Sequence, residues 1–139
     1  VINKEVTMTI SDAEIRTIIT DPNGMELLVK KAKELGDDLY KNQMTTAQIR
    51  ALFGEVRQIE AEWGTKAEAY RRLVLLKPKL AYRARKERGR AVKMLTDVLD
   101  KALDVIIANT DVAKRDASFR HFVEFFEAVL AYHQAAGGK

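Results

Sequence analysis

The stretch PKLAYRARKERGRAVKMLTDVLDKALDVII, residues 78–107, decides how this chain folds. Leu95, Leu99, Ala102 and Ile106 recur at spacings of 4, 3 and 4, which places them on one stripe of a 3.6-residue helix. Only Gly89 interrupts the run. It is either a tolerated mid-helix glycine, giving one long helix, or the turn between two shorter ones. Pro78 at the head of the stretch is expected to break or kink the preceding helix, because it lacks an N–H and disfavours helix at Lys77.

The same period extends in both directions. Downstream, ANTDVAKRDAS (residues 108–118) supplies turn chemistry. A last helix over residues 117–135 then carries Phe119, Phe122, Phe126 and Val129 at spacings of 3, 4 and 3 as a core stripe. Upstream, SDAE (residues 11–14) and TTAQ (residues 45–48) are capping-box signatures ahead of Ile15, Ile18 and Ile19 and of Ile49, Leu52, Val56 and Ile59. Between them, Asp21-Pro22 reads as an N-cap followed by an N1 proline, and Leu27, Leu28, Ala32 and Leu35 keep helical spacing. Gly36 reads as the helix stop, with DDLYKNQ after it as a polar connection. After Trp63-Gly64 another periodic stretch reaches Leu76. No strand-like alternation, repeat or linker is present, so the expected fold is an all-α, compact bundle of five or six helices. It forms a single helical domain over residues 1–139, with residues 1–20 a peripheral N-terminal helix and residues 137–139 a flexible tail.

At 139 residues, 47% hydrophobic and 32% charged, with 7 Gly and 2 Pro, the chain has enough apolar residues for its own core and is not disordered. The absence of cysteine excludes disulfides, thiolate metal sites and a cysteine nucleophile. No leader pattern and no membrane-length apolar run is found, so a soluble, non-secreted, cytoplasmic protein is expected.

The net charge of +4 is mild, but it is unevenly placed. Residues 71–93 hold ten basic side chains against the single acid Glu87, while the remainder holds fourteen basic against nineteen acidic. Such a footprint suits a polyanion or an acidic protein face. On one continuous helix, Lys79, Arg83, Lys86, Arg90 and Lys93 would form a band about 80° wide and about 21 Å long, opposite Ala81, Ala84, Val92, Leu95 and Leu99. Arg85 and Arg88 would project toward the packing side unless the helix bends at Gly89. Tyr82 and Tyr70 are interleaved as rings on which bases can stack, or as ordinary core-rim tyrosines.

Chemistry-bearing constellations are thin. His121, Glu124 and Glu127 share the last helix, but the chain has two histidines, no Glu-x-x-His pair and no HExxH, so no metal site is expected. His121 and Glu124 read as a polar face, and His133 as a helix-end histidine with a local hydrogen bond. Ser11 and Ser118 both stand at expected helix starts, and neither sits in a nucleophile elbow. Neither a phosphate-binding glycine loop nor a catalytic residue set emerges.

Three blocks in order, TTAQIR (residues 45–50), LLKPKLAYRARKE (residues 75–87) and FRHFVEFFEAVLAYH (residues 119–133), resemble the small subunit of the type III-A (Csm) CRISPR effector complex. The likeness extends over about residues 24–136, with residues 1–20 and 109–116 outside it. The resemblance implies an all-helical, non-catalytic protein without a cofactor, stacked in several copies along an RNA-guided complex. Its implied partners are guide RNA and target RNA, the other Csm subunits and further copies of itself, with no membrane. The matching positions are Lys77, Lys79, Tyr82, Arg83 and Arg85, with Arg50 from the first block. The charge reading adds Lys86, Arg90 and Lys93. Phosphate contact rather than base reading is expected, because guide pairing supplies the sequence specificity.

Rival readings are a helical adaptor for an acidic protein partner, a helix-turn-helix DNA binder and a helical-bundle enzyme. The segment after Gly89 turns aliphatic at Val92, Leu95 and Val98, which does not suit a DNA recognition helix. The enzyme lacks a constellation, and the adaptor remains the alternative.

Overall fold

Two capping boxes open the chain's first and third helices. In the computed structural model, which describes residues 10–138, the Ser11 hydroxyl accepts from the Glu14 N–H at 3.1 Å and the Glu14 carboxylate accepts from the Ser11 N–H at 2.9 Å. Thr45 and Gln48 repeat the exchange at 3.1 and 2.9 Å. Each box satisfies two of the backbone donors that a helix start leaves without intrahelical partners. Six helices follow in order: α1 Asp12–Thr20, α2 Met25–Lys41, α3 Thr46–Glu62, α4 Glu68–Lys86, α5 Arg90–Ala108 and α6 Val112–Ala135, with no strand among the described residues. The all-α expectation holds at its upper count.

Several expected boundaries are displaced, each for a local reason. The Asp21 carboxylate accepts from the Asn23 N–H at 2.8 Å, an Asx turn in place of a helix cap, so α2 begins after Gly24. Gly36 does not end α2. A Cβ there would stand 2.8 Å from the Tyr132 Cβ and 2.9 Å from the Val129 carbonyl oxygen, so the glycine lets α2 and α6 cross closely. The supposed polar connection is therefore helical as far as Lys41, with Leu39 buried. Pro78 lies inside α4. The break comes at Gly89, whose φ of 124° and ψ of 146° belong to glycine backbone, and it divides residues 78–107 between two helices. Asp111, accepting from the Lys114 N–H at 3.2 Å, starts α6 several residues ahead of expectation. Ser118 is thus a buried mid-helix residue rather than a start.

Around α6 pack α1, α2, α3 and α5, while α4 lies on α3 and α5. The Phe119, Phe122, Phe126 and Val129 stripe is buried, joined by Val123 and Phe125. Burying each large apolar side chain contributes about 1.5–3 kcal/mol. Phe119 stacks on Trp63 with centroids 4.1 Å apart, and the Trp63 indole N–H donates to Asp116 at 2.9 Å, tying the α3 end to α6. The N-terminal helix is not peripheral, since Ile15, Ile18 and Ile19 enter the shared core.

His133 is fully buried, and its bond is not local: Nε2–H donates to the Met44 carbonyl at 2.6 Å, 89 positions away in sequence. Gly137, at φ 121°, and Gly138 fold back against Tyr40 and His133, where fraying was expected. Residues 1–9 and Lys139, parts of the expected N-terminal helix and tail, lie outside the described residues.

Candidate nucleic-acid interface

The two helices joined at Gly89 form a hairpin whose turn end gathers the basic stretch. Lys77, on α4, reaches across to Asp100 and Asp104 of α5, fixing the two helices side by side. Burial alone would pull the Lys77 pKa down, but the hydrogen bonds its ammonium donates to both aspartates, with their negative charges, outweigh burial and raise it. On the other flank Lys79 bonds Glu55 of α3 at 3.0 Å, and Arg83 pairs with Glu87. Glu87 also accepts from the Gln48 side chain at 3.3 Å. Higher on α4, Arg72 holds Glu62 at 2.6 Å, and this hydrogen bond keeps the Glu62 carboxyl below the usual carboxylate range.

These contacts sort the nine expected residues. Lys77 and Arg83 are engaged in ion pairs at 28% side-chain exposure, Lys77 across the hairpin to α5 and Arg83 along the end of α4. Lys79 and Lys93 are exposed and paired, Lys93 with Asp97 at 3.4 Å. Such surface pairs are worth at most about 1 kcal/mol and yield readily to a stronger anion. Arg85, Lys86 and Arg90 are exposed, with no carboxylate partner among the described residues. Arg50 stands apart, about 200° round α3 from Gln48, the residue that touches the end of α4. It is exposed, with no carboxylate partner among the described residues.

Of the two readings of Gly89, the structure takes the turn, so the basic band is two shorter ones. Gly89 divides it into Lys79, Arg83 and Lys86 on α4 and Arg90 and Lys93 on α5. The same turn answers the difficulty posed by Arg85 and Arg88, which are exposed at the hairpin end instead of meeting the core. Arg88 has no ion-pair partner among the described residues and joins Arg85, Lys86 and Arg90 as a fourth unpaired cation within six residues. Sequence reasoning missed it because its direction depends on whether Gly89 turns the chain.

Beside these cations runs a groove of about 420 Å³, walled by Pro78 and Tyr82 with Lys79, Arg83 and Lys86 along it. Tyr82 is 65% exposed, so the base-stacking and core-rim readings separate here: the ring is no part of the core. Tyr70 instead holds the Arg115 guanidinium 4.0 Å from its ring centroid and faces Trp63.

Among the described residues no group of three or more histidines and carboxylates gathers. His121 Nδ1 lies 2.8 Å from the Ile19 carbonyl, tying the ring to the end of α1. No helix among the described residues is long and apolar enough to cross a membrane.

Fold and surface together define a small helical-bundle protein with one strongly cationic hairpin end. The chain belongs to the family described as Csm2 Type III-A, which it matches over residues 22–139. No curated protein and no solved structure matches it. Family membership supports a place as a subunit of the Csm complex.

Proposed function

We propose that the protein is a non-catalytic, RNA-binding structural subunit of a type III-A CRISPR RNA-guided interference complex in the cytoplasm. Its copies stack on one another, and the cationic α4–α5 face contacts the backbone of the guide RNA–target RNA duplex. The observation that carries this reading is the set of four exposed cations, Arg85, Lys86, Arg88 and Arg90, without carboxylate partners among the described residues. A protein that used this end only for its own stability would pair them, as it pairs Lys77. Phosphates satisfy such a surface without regard to sequence. Several stacked copies along one strand would add their contacts, so that a weak single site becomes firm binding in the assembly.

The test is the salt dependence of single-stranded RNA binding by the purified protein. Replacing Arg85, Lys86 and Arg88 with glutamine should weaken binding at every sequence and flatten log affinity against log salt by about 2, at about 0.7 per lost phosphate contact. The Lys30, Lys31 and Lys33 triple variant should leave it unchanged, since Lys31 and Lys33 are held by Glu14, Glu34 and Asp37. The opposite pattern would place the face on α2. Lys79, Arg83 and Lys93 belong to the proposed face as secondary contacts and Lys77 as its support. The non-catalytic role predicts no RNA cleavage with Mg²⁺ or Mn²⁺, and cleavage lost on substituting His121 or Glu124 would overturn it.

A further inference from the structure

Phosphates account for the cations of this face but not for the exposed aromatic ring in the groove among them. Glu55 and Glu87 line the groove together with Pro78, Tyr82 and Lys86. Both carboxylates are recessed, at 29% and 21% side-chain exposure, and each is already engaged by a cation, Glu55 by Lys79 and Glu87 by Arg83. Inside the groove these two carboxylates offset the charges of Lys79 and Arg83, so it is less cationic than its rim. At the rim a phosphate would meet Lys86, which has no carboxylate partner among the described residues. Anion outside and neutral ring inside is the arrangement that satisfies both.

We infer that the groove is a stacking slot for one unpaired nucleobase, with Tyr82 as its platform and Lys86 holding the adjoining phosphate. Tyr82 is the most exposed large hydrophobic residue of the described chain, and it shares the outer face of α4 with the ring of Pro78. An exposed aromatic beside an apolar ring offers a base a surface on which stacking needs no particular sequence. The Lys86 ammonium stands 5.9 Å from the Tyr82 centroid, where it can yield the ring face to a base and swing to the phosphate. The exocyclic amino groups of adenine, cytosine and guanine are donors that the recessed carboxylates can accept. The slot therefore favours an unpaired, splayed nucleotide over one stacked within a regular duplex.

This inference rests on the RNA-binding reading, and the experiment separates the two. Binding of the full chain is measured with a single-stranded RNA 12-mer and with an abasic 12-mer of the same backbone and charge. Wild type should prefer the base-bearing strand by about five- to tenfold, the lower part of the range for one stacked base. Tyr82→Ala should remove that preference with the salt slope unchanged, and Tyr82→Phe should restore it. The exposed position of Tyr82 leaves the fold intact, which the melting curve checks. Equal binding of both strands by wild type would overturn the slot and leave the phosphate reading standing. Failure to bind either strand would overturn both. A Tyr82→Ala protein that keeps its preference for bases yet drops out of the assembled complex would assign the groove to a protein partner instead.

Discussion

Gly36 and Gly89 are the same residue in two regions that demand it for opposite reasons. At the α2–α6 crossing the backbone of Gly36 is ordinary helix, and what is missing is room, since three atoms of α6 lie within 2.9 Å of where a Cβ would be. At the α4–α5 turn nothing lies within 4 Å of a Gly89 Cβ, and what is special is the backbone, at φ 124°. One glycine permits packing and the other permits a change of direction. The crossing builds the core, while the turn orients the cations of the proposed RNA-binding face, so damage to each should have different consequences.

The largest effect belongs to the core side. Phe122 is fully buried on α6, and Phe122→Ala should cost about 3–5 kcal/mol, read as a large fall in the denaturant midpoint. A variant that melts with wild type would mean that α6 is not the centre of the bundle. Next comes the crossing itself. Alanine inside a helix gains about 0.5–1 kcal/mol over glycine, whereas forcing a methyl into a filled crossing costs about 1–3 kcal/mol. Two of the atoms facing Gly36 are backbone atoms, which cannot turn aside, so Gly36→Ala should destabilise. If it stabilised, the close approach would be refuted. RNA binding by the folded fraction should be unaffected.

Gly89→Ala sharpens the comparison from the other side. An L-residue held in this extended, positive-φ conformation costs about 1–3 kcal/mol, and the turn must relax to escape the strain. Because Arg85, Lys86, Arg88 and Arg90 flank it, the expected outcome is a modest fall in stability accompanied by a change in the RNA salt slope. A loss of stability alone would show that the cations keep their arrangement without the turn.

How much of this was legible in the sequence follows from the same contrast. The capping boxes at Ser11 and Thr45 and the Phe119–Val129 stripe depend on neighbours within a few positions, so spacing shows them directly. Gly36 and His133 act through partners far along the chain, Tyr132 and Met44 respectively, and local text gives no sign of them. A glycine about three turns into a helix looks like a stop until the second helix is in place. The candidate face was half legible. Charge counting found the stretch, but Lys77 and Arg85 are equally basic in sequence, and only the opposing Asp100 and Asp104 separate a structural cation from a free one. Arg50 matched by block resemblance alone, and it stands exposed on α3.

The smallest expected effect tests that separation. Lys77 has its pKa raised in the folded protein: burial opposes the charge, and the hydrogen bonds to Asp100 and Asp104 more than offset it. A raised value means that the folded state holds the proton more tightly than the unfolded state. The contribution to stability is therefore complete below the ordinary lysine value of 10.5 and is lost as pH rises above it through the folded value. Lys77→Met, which keeps the apolar stem, should lower stability at neutral pH by less than about 1 kcal/mol. Its deficit relative to wild type should close as the pH climbs past 10.5. A deficit that persists unchanged at higher pH would trace to packing of the stem instead of to charge. In the RNA titration Lys77→Met should keep the wild-type salt slope, whereas Lys86→Met should flatten it by about 0.7. Equal flattening by both would show that Asp100 and Asp104 release Lys77 to the RNA, and that the paired and unpaired halves of the hairpin act as one surface.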